Sequence, residues 1–177
     1  LYMNCLKTLH LIIALILFTN INAQYYNGRV RIDSADRSYV FQITDNSTKP
    51  LKKVFYFWFK SGRVHKTQGS YYGKLLHGSY KVIDPDRRLL EEGQFGKGIK
   101  IGTWRTWYES GHLKTLMKPR LVSPGFTYVE YDTKGNVIKS GYVHNDLFTG
   151  KGWEWVADSA YMVRYKNGER ITNIPGK

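Results

Sequence analysis

The chain contains a single cysteine, Cys5, which precedes an apolar N-terminal segment. Nothing downstream can form a disulfide framework, act as a thiol nucleophile or supply thiolates to a metal. Acidic residues are also scarce, with 14 Asp and Glu against 27 Lys and Arg. After residue 24 there is no sustained helical hydrophobic period, which argues against a helical bundle. Catalytic signatures are missing as well. There is no G-x-S-x-G and no H-E-x-x-H, and His65, His77, His112 and His144 lack metal-ligand spacing. Glu91 and Glu92 are adjacent, so a strand would send them to opposite faces. The chain therefore reads as a non-enzyme with no metal and no cofactor.

What it has in abundance is glycine and aromatic side chains: 17 Gly, 14 Tyr, 8 Phe and 5 Trp. These recur in register. A step of 24 residues links Gly69, Gly93 and Gly141, with Met117 in the missing place, and Gly78, Gly102 and Gly150, with Phe126 as the exception. The same step joins Tyr80, Trp104 and Tyr128, then Ile83, Trp107, Tyr131 and Trp155, then Leu89, Leu113, Val137 and Tyr161. Each unit predicts a β-hairpin, turning at Ser110-Gly111, Lys134-Gly135 and Asn167-Gly168, with an earlier partial copy in "YFWFKSGRVHK". The stretch "GKGIKIG" is not a phosphate loop, because it leads into the strand-like "TWRTWY" and not into a helix N-terminus.

The stretch "GQFGKGIKIGTWRTWYESGHL" closely resembles the bacterial variant of the membrane occupation and recognition nexus (MORN) repeat, with Gly93, Phe95, Gly98, Gly102, Trp104, Trp107, Gly111 and Leu113 in the pattern positions. The copy that begins at Gly69 keeps Gly69, Tyr71, Gly78, Tyr80 and Leu89 but has Arg87 in place of the turn glycine. The resemblance implies an all-β, elongated, single-layer antiparallel sheet of stacked hairpin repeats, used for protein or membrane-surface interaction and not for catalysis. Some bacterial relatives carry an antitoxin label, which makes regulation of a toxin an alternative role. A small polysaccharide-modifying enzyme is a second alternative.

The segment up to Ala23 has one basic residue, Lys7, an apolar run from Leu9 to Phe18, and a polar flank "TNINAQ". That is the layout of a secretory signal peptide, with the apolar run too short to span a bilayer. The expected organisation is a signal peptide over 1–23, a cap segment over 24–53, repeats over 54–171 and a tail over 172–177. Loss of Lys7 would lower the formal charge of +13 by one. Such a surplus favours anionic partners, and export turns that preference from nucleic acid toward anionic lipid, surface polysaccharide or an acidic protein.

The candidate binding surface comprises Lys81, Trp104, Arg105, Trp107, Lys118 and Arg120. Lys81 and Arg105 share the 24-residue step, and each adjoins an aromatic column. Lys118 and Arg120 flank Pro119 in "MKPRLVSPGF", where both repeat glycines are missing. Pro119 and Pro124 cannot donate to a central ladder, so this stretch reads as a projecting loop or a decayed hairpin. Alternation puts Trp104 and Trp107 on opposite faces, one column in the core and the other partly exposed.

Overall fold

The computed structural model describes residues 23–26, 28–157 and 159–175, with side-chain burial described for 28–157 and 159–171. The signal-peptide reading falls on residues outside this set except at Ala23, which begins the first strand. The described residues form one open antiparallel sheet and contain no helix. Its strands are β1 (Ala23–Tyr26), β2 (Arg29–Asp33), β3 (Ser38–Thr44), β4 (Phe55–Lys60), β5 (Arg63–Gln68), β6 (Lys74–Ile83) and β7 (Leu89–Gly96). They continue as β8 (Ile99–Trp107), β9 (Leu113–Pro119), β10 (Phe126–Tyr131), β11 (Val137–His144), β12 (Leu147–Val156), β13 (Ser159–Lys166) and β14 (Glu169–Pro175). The last strand runs past residue 171, where the sequence reading places the end of the repeats.

Most strands pair with their sequence neighbours, as short turns dictate. Three turns share one hydrogen-bond pattern: Arg87 N–H donates to the Asp84 carbonyl, Gly111 to Tyr108 and Gly135 to Asp132. In each, the first residue's N–H also reaches the carbonyl four residues on, at Arg88, His112 and Asn136. The fourth turn position needs positive φ, which glycine adopts freely: Gly111 sits at 84° and Gly135 at 87°. Arg87 is held there at 66° despite its Cβ. Within the strands, Gly78, Gly102 and Gly150 also have positive φ, and each lies at a register shift against the neighbouring strand.

One hairpin leaves the meander. β3 pairs with β6, and β4–β5 stands off that path, joined to β6 only at Trp58 and Phe59. This inserted hairpin covers one face of the sheet. Phe59 is buried with Val30, Phe41, Leu76, Phe95 and Trp104, and Phe57 and Val64 pack at the margin. Edge-to-face and tilted ring pairs hold the contact, Phe41–Phe59 at 5.6 Å and Phe57–Phe95 at 5.0 Å. On the far half of the sheet Val143, Val163 and Tyr165 are buried. The β11–β12 turn reaches back to the region of the hairpin, where Asn145 Nδ2 donates to the Lys53 carbonyl at 2.9 Å and Asp146 pairs with Lys66 at 2.6 Å.

Candidate functional site

Directly opposed residues on antiparallel strands point to the same face. Across the open face the register runs Val40, Lys81, Glu92, Arg105, Leu116, Val129, Ser140, Trp153 and Met162. Lys81 and Arg105 therefore share a face, as candidate residues for one surface must. Glu92 stands between them, and its Oε1 accepts from Arg105 Nη1 at 3.1 Å. The cationic row is thus interrupted by one acid. A shallow groove runs over this part of the face, lined by Ser79, Lys81, Glu92, Gln94, Thr103 and Arg105.

Trp104 faces the other way. It is 3% exposed, its Nε1 donates to the Ile101 carbonyl at 3.0 Å, and its ring meets Phe95 edge-on at 4.9 Å. Lys100 Nζ lies 4.4 Å from the ring centroid. This is a core residue, separated from Arg105 by the thickness of the sheet. Trp107 is half-buried opposite Leu113, where it closes the β8–β9 hairpin beside a register shift.

Lys118 lies on the open face, opposite Thr127, which in turn opposes Tyr142. The Arg120 guanidinium stacks 4.3 Å above the Tyr142 ring. Arg120 N–H donates to the Gly125 carbonyl at 3.1 Å, closing the loop between β9 and β10. Pro119 ends β9 against Phe126 and interrupts no ladder. The loop projects with two apolar side chains in solvent, Leu121 at 103% and Val122 at 97% exposure. Lys81, Arg105, Lys118 and Arg120 are thus associated with one face, whereas Trp104 belongs to the core and Trp107 to a hairpin closure.

Sequence reasoning missed Glu92 and Tyr142. The turn at Asp84–Arg88 alone would set Glu91 opposite Lys81, and the register shift between Val82 and Ile83 sets Glu92 there instead. The turn at Asp132–Asn136 alone would set Gly141 opposite Thr127, and a like shift between Glu130 and Tyr131 sets Tyr142 there.

On the packed face, Glu91 opposes Thr106 and lines an open hollow. Burial raises its carboxyl above the ordinary glutamate range, a shift opposed by Lys100 and reinforced by Asp146. Burial likewise pushes the Tyr128 hydroxyl up, helped by Glu130, which accepts its hydrogen bond at 3.0 Å. Among the described residues no three His, Cys, Asp or Glu side chains gather as a metal site.

No protein-family model, curated protein or solved structure matches this chain.

Proposed function

We propose that this chain is an exported, non-enzymatic interaction module built from MORN-like β-hairpin repeats, and that its open face docks on an anionic envelope surface. The observation that carries the reading is the face itself. Lys81, Arg105 and Lys118 lie on it, Arg120 reaches over Tyr142, and Glu92 is the acid within the Lys81–Arg105 row. Exposed Ile101, Tyr142 and Trp153 add apolar surface among the charges. The formal charge of +13 supplies long-range attraction toward such a surface. The repeated turn at Asp84–Arg88, Tyr108–His112 and Asp132–Asn136 supports a repeat origin.

Co-sedimentation with phosphatidylcholine vesicles, with and without phosphatidylglycerol, tests the role. Binding is expected only with the anionic lipid and is expected to fall as salt rises. Salt-insensitive binding, or binding to neutral vesicles alone, would contradict it. Mass spectrometry of the cell-derived protein tests export, with an N-terminus at Gln24 expected and a retained Leu9–Phe18 segment contradicting it.

A further inference from the structure

The packed face carries a second surface, which the reading above does not use. A row of directly opposed residues crosses it: Glu91 on β7, Thr106 on β8, Thr115 on β9 and Glu130 on β10. Adjacent strands lie about 4.8 Å apart, so the row presents a side-chain oxygen at each such step. The inserted hairpin covers Trp104 and its neighbours, but none of its residues lines this row. What is left is an open trough of about 980 Å³, with Tyr39 and Tyr108 among its walls.

The polar groups in the trough are only partly used. The Thr106 and Thr115 hydroxyls bond to each other at 2.7 Å, which occupies a single proton between two oxygens. Glu130 accepts from Tyr128 through Oε2. Glu91 is half-buried, and among the described residues its carboxylate has neither a hydrogen bond nor an ion pair. The remaining charges oppose one another: Glu109 and Lys114 also line the trough, and Arg37 is paired with Asp36 at 2.7 Å. An anion meets three carboxylates here. A cation meets Lys114 and Arg37.

We propose that this trough binds a neutral, linear, β-linked polysaccharide laid across the strands, with sugar hydroxyls paired to Glu91, Thr106, Thr115 and Glu130. A chain of hydroxyl-bearing rings fits a row that sets two hydroxyls between two carboxyl groups, one group on each successive strand. The tyrosines that line the trough offer apolar ring surface to the C–H faces of the sugars. This site lies on the opposite face from Lys81 and Arg105, so the two proposals stand or fall separately.

The test is NMR titration of the full mature chain with cellohexaose, xylohexaose and chitohexaose. Saturable shifts are expected with at least one of them, centred on Glu91, Thr106 and Thr115 and unchanged in molar salt. Glu91→Ala, and Thr106→Val with Thr115→Val, should each weaken binding about tenfold or more, since each removes hydrogen bonds to the sugar. Glu91→Gln, which keeps an acceptor oxygen in place, should restore most of the affinity lost in Glu91→Ala. The trough variants should leave vesicle binding unchanged. No shift with any of the three glycans overturns the proposal. So does undiminished binding by variants whose melting curves show them folded.

Discussion

The indole of Trp104 occupies the space that Gly93 leaves open: a Cβ at residue 93 would stand 2.2 Å from ring atom Cδ2. Gly93→Ala must therefore displace the ring from its contacts with Phe95 and Tyr80. The expected cost is about 1–3 kcal/mol by overpacking, read from the denaturant midpoint. Trp104→Ala should cost about 3–5 kcal/mol through the cavity it creates. An unchanged midpoint for Gly93→Ala would show that the ring is not seated there.

The three matching turns differ in how well their sequences suit them. Arg87 holds φ at 66°, where an L side chain is strained, and Gly111 holds 84° with nothing within 4 Å of the point a Cβ would occupy. Arg87→Gly should then stabilise the fold by up to about 1 kcal/mol. Gly111→Val should destabilise it by more than about 1 kcal/mol from conformation alone, since no clash is involved. Thermal melts of the two variants should move in opposite directions.

Glu91 gives the fold a pH dependence of defined sign. Its carboxyl is raised by burial, so the folded chain holds that proton at pH values where the unfolded chain has lost it. This group therefore costs stability as pH rises from the ordinary glutamate range through its raised value. Below that range it costs nothing. Glu91→Gln should melt higher than the parent at neutral pH, with the difference vanishing in acid. A difference that grows in acid would contradict the assignment.

The local elements were legible because their turn chemistry is local. Ser110-Gly111, Lys134-Gly135 and Asn167-Gly168 all lie in observed turns, and Gly168 has φ of 87°. Strict alternation also puts Trp104 and Arg105 on opposite faces, which the grouping of both in one candidate surface overlooked. The placement of β4–β5 was not legible. "YFWFKSGRVHK" specifies a hairpin, but nothing within it says that β3 will skip past it to pair with β6. That choice rests on Phe59 and Phe57 finding Phe41 and Phe95, contacts between residues distant in the chain. The trough was missed for a similar reason. Glu91 and Glu130 are far apart in sequence, and only the registers of three successive strand pairs bring them into one row.

The central claim is that the open face binds through its cationic row, and Glu92 allows a test in both directions. It lies between Lys81 and Arg105 and bonds to the latter, so it offsets the charge that the claim relies on. Binding of Glu92→Gln, and of Lys81→Gln with Arg105→Gln, to phosphatidylglycerol vesicles at fixed low salt is the most direct measurement. Glu92→Gln should bind more tightly and the double variant more weakly, each by about threefold or more, with little change in melting temperature. Equal affinity across all three proteins would contradict the claim, as would a Glu92→Gln protein that binds more weakly than its parent.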